Sequence, residues 1–352
     1  MKRLLVSLVL LWLSIGMLYA DEIRMPENAP RPIKIGVAVF VNSITKVNDQ
    51  ANTFEGSLDL QLRWKNTDLA FDPRERGTNR MEYNRDAAIK KLASIWTPGL
   101  SLANAAMQNI EIEKGLFIYA DGTVVLILRV NGVFGTKYRL EAFPFDTQAL
   151  TVRIVSEKYN TNQITLTQDQ RDINDSGLSK AVRLSAWQPK RLAFAESRTR
   201  GWNGQYFPEM QAQIMLARLP SIHLLAILMP FFLVMLIPTI GTLYTKLDLE
   251  KRLGFWSASI LALVALSFTY TARYPMLPSH SIIVQLIVIG SGYQTIMILL
   301  TVTLFNPQNT DRWFSNKFIV PEMTNYLRWA IPLALIGLVL TRIMLTSLIM
   351  EA

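Results

Sequence analysis

Few side chains in this sequence can do covalent or redox chemistry. Its 352 residues include no cysteine and only two histidines, His223 and His280. Thiol chemistry is excluded, and with it most zinc sites, which need clusters of Cys or His. No Ser-His-Asp set, metal cluster or phosphate-cradling loop occurs, so neither an enzyme nor a cofactor is expected. What remains is the chemistry of charge and rings. The stretch Phe143-Pro144-Phe145-Asp146 sets two apolar rings and a carboxylate around a proline. Proline cannot donate to a sheet ladder, so a turn belongs there. Turns usually face water, which leaves open what those rings touch. Glu250 stands directly before Lys251 and Arg252, in a short polar loop between long apolar runs.

These residues need a scaffold. From Ile33 to about Ala217 short alternating segments recur: KIGVAVFVN, GSLDLQLRW, GTVVLILRV, ALTVRIV, NQITL, RLSAWQPKRLAF and EMQAQIMLA. They carry β-branched or aromatic residues at period two, with Asp121-Gly122, Asn131-Gly132, Gly201 and Asn203-Gly204 expected as turns. Many short strands with regular turns predict a β-sandwich or barrel. EYNRDAAIKKLA reads as a short helix or a loop.

After Arg218 the chemistry changes. Leu219 to Tyr244 holds one ionisable residue, His223, and is long enough to cross about 30 Å of hydrocarbon as helix. Pro230 and Pro238 would kink it, which packed membrane helices tolerate. Further spans are expected at about 251–272, 279–305 and 326–350. Most Lys and Arg of this half fall in the loops assigned to the cytoplasm, Arg273 excepted, as the positive-inside rule requires. Residues 1–20 combine Lys2-Arg3, an apolar run and Ala20, the pattern of a secretory signal peptide. The expected organisation is therefore an export signal at 1–20, an exported domain at 21–218 and a membrane domain at 219–352. The net charge of +9 is scattered among acids, as in DPRERGTNRMEYNRD, so nucleic acid is not an expected partner.

The motifs narrow the class. FPFD followed by Gln148 resembles the signature turn of the pentameric ligand-gated ion channels, the Cys-loop receptor superfamily. Animal members enclose that turn between two cysteines; here Thr136 and Leu150 stand at those positions with the spacing kept. Other stretches resemble the family in chain order: RWKNTDLAFDP with Trp64, IWTPGLSLAN with Trp96, DGTV, RLPSIHLLAILMP with Arg218 and Pro230, YPMLPSH, and RWAIPLALIGLVLTRIML. The chain is identified as a member of the bacterial branch, which lacks the disulfide. The resemblance implies an extracellular immunoglobulin-like β-sandwich followed by a four-helix transmembrane bundle. It also implies a homopentamer in the bacterial inner membrane, in contact with membrane lipid, its N-terminal domain in the periplasm.

In such channels the second helix of each subunit lines the pore. Fixing its register from Lys251-Arg252 below and Pro275 and Leu277-Pro278 above turns Gly254, Ala258, Leu261, Ala265, Phe268 and Ala272 to the axis, at spacings of four and three that keep one helical face. Rings of Leu261 and Phe268 would gate by dewetting, and a ring of Glu250 at the cytoplasmic mouth would favour monovalent cations. One departure stands out. Ser259, Ser267 and Tyr270 cluster on the opposite face, while Gly254 and Ala258 stand where relatives often carry polar groups.

The family's agonist box, carried over position by position, falls on Ala103, Glu157 and Asp59, with Trp202, Tyr206 and Phe207 in the segment Ser197 to Pro208. Carboxylates at Asp59 and Glu157 suit a small-molecule agonist with an amine, for which Trp202 or Tyr206 offers a π face. Close carboxylates also titrate, so protons stay open as the stimulus. The glutamate and histidine that matter in the proton-gated bacterial member correspond to Asn52 and Leu263, neither of which titrates. The implied coupling layer comprises Asp49, Phe143, Pro144, Phe145, Asp146, Arg218, Pro275 and Pro278. The competing reading is a membrane-anchored sensing or adhesion receptor whose helices do not conduct.

Overall fold

The computed structural model describes residues 24–26, 29–106, 110–244, 247–274, 277–279, 281–304 and 319–348. The expected signal peptide, together with Pro275 and His280, lies outside the described residues.

Alternation builds the outer half. Strand β2 (Thr53–Lys65) buries Phe54, Leu58, Leu60, Leu62 and Trp64 and turns the residues between them outward. It pairs antiparallel with β1 (Ile33–Asn48) on one side and β6 (Thr123–Gly135) on the other. The larger sheet runs β3 (Arg80–Asn84), β5 (Glu111–Tyr119), β6, β2, β1 and β8 (Ile164–Thr167), with β9 (Gly177–Leu178) also beside β1. The smaller sheet runs β10 (Trp187–Arg200), β11 (Tyr206–Arg218), β7 (Thr147–Ser156) and β4 (Leu100–Leu102). Their facing sides meet in one apolar core: Leu58, Leu60 and Leu62 of one sheet join Leu150, Val152, Ile154, Ala212, Ile214 and Leu216 of the other. Each buried Leu, Ile or Val among them contributes about 1.5–3 kcal/mol by leaving water, so the sandwich does not depend on a disulfide.

Where relatives place that disulfide, Leu150 sits in the core. The Thr136 hydroxyl donates to the Ala149 carbonyl at 3.1 Å and accepts from the Thr151 N–H at 3.4 Å. Hydrogen bonds thus hold the two positions where a covalent bond is absent.

Two expectations change. Asn131-Gly132 is not a turn: it lies inside β6, with Gly132 opposite Gly56. A Cβ on Gly56 would come within 2.6 Å of the Ser43 carbonyl, so this glycine serves close strand approach beside an irregularity in β1. Strand β5 had no alternating signature because its first residues, Glu111, Ile112 and Glu113, are all exposed.

The short helices of the outer half are α1 (Pro73–Arg76), α2 (Asp86–Leu92, within EYNRDAAIKKLA) and α3 (Gln170–Asp175). Four long helices follow: α4 (Pro220–Leu243), α5 (Leu249–Arg273), α6 (Ile282–Thr303) and α7 (Ile319–Leu348). All four are long and apolar enough to cross a membrane. The last begins at Ile319 rather than 326, because polar residues such as Glu322 and Thr324 continue the helix beyond the apolar run. A second core, with Ile227, Phe231, Trp256, Leu263 and Met297, holds the bundle together, and it includes Leu140 and Phe143 from the outer half.

Candidate functional site

The two cores meet at an arginine. Strand β11 ends at Arg218 and α4 begins two residues later, so this side chain marks the passage from sheet to membrane helix. Its backbone N–H donates to the Asp146 carbonyl at 3.0 Å. Its Nε and Nη2 donate to the two Asp146 carboxylate oxygens at 2.7 and 3.1 Å, and Nη1 donates to Asp49 at 3.3 Å. The guanidinium lies 4.1 Å from the Trp187 ring centroid and 4.8 Å from that of Phe143. The Arg218 and Asp146 side chains are 3% and 2% exposed. Breaking such a buried pair by removing one partner costs about 3–5 kcal/mol, because the other charge stays buried.

The Phe143–Phe145 turn fixes Asp146 from below. Gln148 donates to Asp146 at 2.5 Å and to the Arg139 carbonyl at 2.6 Å, and it accepts from the Arg139 N–H at 3.0 Å. Phe143 is fully buried, 4.8 Å from the Tyr274 ring and 5.5 Å from that of His223. Pro144 is buried and Phe145 packs on the membrane core. The Phe143 ring therefore touches the outer ends of α4 and α5, not water, while Phe145 is half-buried against the same core. Gln50, in the loop that carries Asp49, donates to the Arg273 carbonyl at the end of α5. Pro278 is half-buried beyond it. These contacts join the sandwich to the end of α5. Trp187 was invisible as a partner of Arg218 in the sequence; only the register that pairs them across β10 and β11 reveals it.

Helix α5 has two unlike faces. Arg252, Trp256, Ser259, Leu263 and Tyr270 are buried against the bundle. Gly254, Ala258, Leu261, Ala265, Phe268 and Ala272 are all exposed in the single chain, Leu261 and Phe268 at 72% and 71%. The polar groups opposite them have partners inside the subunit: Ser259 donates to the Val234 carbonyl at 2.8 Å and Tyr270 to the Ile227 carbonyl at 3.0 Å. Ser267 bonds its own helix at Val264. Below them Lys251 pairs with Asp248 at 3.8 Å, while Glu250 is exposed and makes no ion pair among the described residues.

The outer-face residues divide between the sheets. Asp59 faces outward from β2 and accepts two bonds from Arg129, its cross-strand neighbour on β6, at 2.8 and 3.0 Å. That hydrogen bonding outweighs partial burial and holds its carboxyl below the usual range. Glu157 follows β7 on the other sheet and accepts from Ser101 at 2.7 Å. Beside it the chain returns to the β10–β11 hairpin, where Thr161 N–H donates to the Tyr206 carbonyl at 2.9 Å. Tyr206 is exposed with the Arg198 guanidinium 5.2 Å from its ring, and Trp202 is fully exposed at the hairpin tip. Glu157 and the β10–β11 hairpin thus belong to the smaller sheet, while Asp59 lies on the larger one. Beneath them Trp96 donates to the Tyr159 hydroxyl at 2.9 Å and meets Trp64 edge-on, a buried aromatic support.

Two further acids are set by their surroundings. Arg153 bonds Glu209 at 2.7 Å and holds its carboxyl low. Burial pushes Asp172 up despite its bonds to Arg63. Among the described residues no cluster of His, Cys, Asp or Glu is arranged to hold a metal.

A β-sandwich whose last strand runs through a buried arginine into four apolar helices defines a multi-pass membrane receptor class. The sequence model of the neurotransmitter-gated ion-channel ligand binding domain matches residues 10–220. The chain is 22% identical over 275 residues to the proton-gated ion channel of Gloeobacter violaceus, covering 78% of this chain and 73% of that protein. It is 23% identical over 301 residues to the human neuronal acetylcholine receptor subunit alpha-3, covering 82% of this chain and 56% of that subunit. Against the rat glycine receptor subunit beta it is 25% identical over 150 residues, 42% of this chain and 29% of that one. The chain belongs to the neurotransmitter-gated ion-channel family, a family of channels and not of enzymes. With no cysteine anywhere, it falls in the prokaryotic branch without the disulfide.

Proposed function

We propose that five copies of this chain form a ligand-gated channel selective for monovalent cations, opened by a small molecule bound between outer domains. The observation that carries this reading is the uncovered stripe of α5. Leu261 and Phe268 are left bare on a helix whose other face is buried, which suits a ring of like helices around an axis. Apolar rings at those levels gate by dewetting, and a ring of Glu250 below them selects cations. The agonist is an amine: Glu157 supplies the charge, Trp202 and Tyr206 the π faces, and Asp59 of a neighbouring subunit, with its Arg129 pair, closes the far side. Residues 1–20 export the outer domain to the periplasm, and the helices sit in the inner membrane with the outer faces of α7 against lipid.

The test is current recording from the purified full chain in planar bilayers, with a screen of amines and of external pH. Amine-evoked openings are the expected result. Openings driven by acid alone would replace the amine with protons, and silence under every condition would favour a non-conducting receptor. In a conducting channel, Glu250→Gln should move the reversal potential under a salt gradient toward non-selectivity; an unchanged value removes Glu250 from selection.

A further inference from the structure

The polar face of α5 meets a defect in α4. In an α-helix the N–H of residue i bonds the carbonyl of residue i−4. Pro238 lies inside α4 and has no N–H, so the Val234 carbonyl loses its helical donor. In hydrocarbon an unpaired carbonyl is costly, and side-chain hydroxyls from neighbouring helices restore such groups. The Ser259 hydroxyl of α5 donates to that carbonyl at 2.8 Å. Its oxygen in turn accepts from Gln294 Nε2 of α6 at 2.7 Å. Both side chains are buried. Gly290, one turn before Gln294, permits this approach: a Cβ there would lie 2.8 Å from the Phe231 ring and 3.4 Å from Leu263.

We propose that Ser259 is the positioning residue of the pore helix. By filling the carbonyl that Pro238 leaves open, with Gln294 as its own donor, it fixes the rotation of α5 and hence which residues face the axis. Tyr270 lies nearly in line with Ser259 three turns above it and bonds the Ile227 carbonyl, so α5 is keyed to α4 along one edge. Of these bonds, the one from Ser259 fills a carbonyl that a proline has stripped. This explains why a serine stands in the middle of the second span on the face away from the pore, where a packing role alone would be met by alanine. The inference rests on α5 being the pore helix.

The absence of native cysteine makes the test clean. Val264→Cys and Ala265→Cys lie on opposite flanks of the Leu261 face, and Leu261→Cys lies at its centre. Each is introduced singly into the full chain, reconstituted in vesicles, and its modification rate by a small water-soluble methanethiosulfonate is measured. Adding Ser259→Ala should change the ratio of the 264 and 265 rates several-fold, whereas Ser259→Thr, which keeps the hydroxyl, should preserve it. In a Pro238→Ala background, where residue 238 again supplies an N–H to Val234, adding Ser259→Ala should have little further effect. Pro238→Ala alone should shift the ratio in the same direction as Ser259→Ala, and it serves as the test if the serine variant does not assemble. A ratio indifferent to both substitutions, with Leu261→Cys reactive, overturns the positioning role and leaves the pore reading standing. An unreactive Leu261→Cys overturns the pore reading itself.

Discussion

The junction around Arg218 and the outer face around Asp59, Glu157 and Tyr206 are built on opposite plans. At the junction Arg218 and Asp146 are buried, Asp49 is half-buried, and each charge is answered within one chain: Arg218 by Asp146 and Asp49, Asp146 also by Gln148, with the rings of Trp187 and Phe143 beside the guanidinium. On the outer face the groups are divided between two sheets: Asp59 is half-buried and paired with Arg129, Glu157 and Tyr206 are exposed, and the Trp202 ring touches solvent on all sides. The first is closed within the chain; the second leaves Glu157 and the hairpin tip open to solvent. The difference teaches where a partner is needed. On the proposed channel reading, a joint that transmits movement is complete in each subunit, whereas a site between subunits leaves its parts bare until a neighbour arrives.

The strongest way to break that contrast is to open the joint. Arg218→Ala should destabilise the chain by about 3–5 kcal/mol, the cost of orphaning a buried carboxylate, and should abolish evoked current in any protein that still assembles. Thermal unfolding and surface expression measured beside current separate the two losses. Lost stability with normal gating in the protein that still assembles would show that Arg218 only bridges surfaces.

Substitutions on the outer face should do less to the fold and more to ligand response. Glu157→Gln and Trp202→Ala should leave the melting temperature within the small range of surface changes while raising the agonist concentration for half-maximal current. Lost stability without a shift in that concentration would make them packing residues.

The smallest effect expected is that of pH on the outer-face pairs. Arg129 holds Asp59 low and Arg153 holds Glu209 low. A carboxylate with a depressed folded pKa gives stability that is fully present above its unfolded value and lost as pH falls through the folded one. The unfolded values lie at about 3.9 for Asp and about 4.3 for Glu. The contribution of these two pairs to the melting temperature should therefore stay constant from neutral pH to about 5 and fail only below about 4. Comparing wild type with Arg129→Gln and Arg153→Gln across that range isolates it. A loss of the pair contributions already between pH 7 and 5 would contradict the pairing.

The sequence carried much of this, unevenly. Period-two strands such as β2 and apolar spans such as α4 were legible because each buries one face or all faces, and burial writes itself into residue type. Asp146 and Arg218 were named through the resemblance around FPFD and the start of the first span. Trp187 and Arg129 were not, because each acts through cross-strand register, which one sequence does not state. Asn131-Gly132 misled because glycine signals both turns and close strand approach. The serine and tyrosine on the face of the second span away from the assigned pore stood out as a departure; the missing information was the carbonyl acceptors on α4.

The central claim is that the bare stripe of α5 is the gate of a pore. Leu261→Ser tests it most directly, since replacing an apolar ring by hydroxyls removes the dewetting barrier whether or not the agonist is known. Full-chain protein in planar bilayers, recorded with no added ligand, should open far more often with serine at this position than in the wild type. Equal, silent traces from both, with each protein shown to be inserted, would contradict the account.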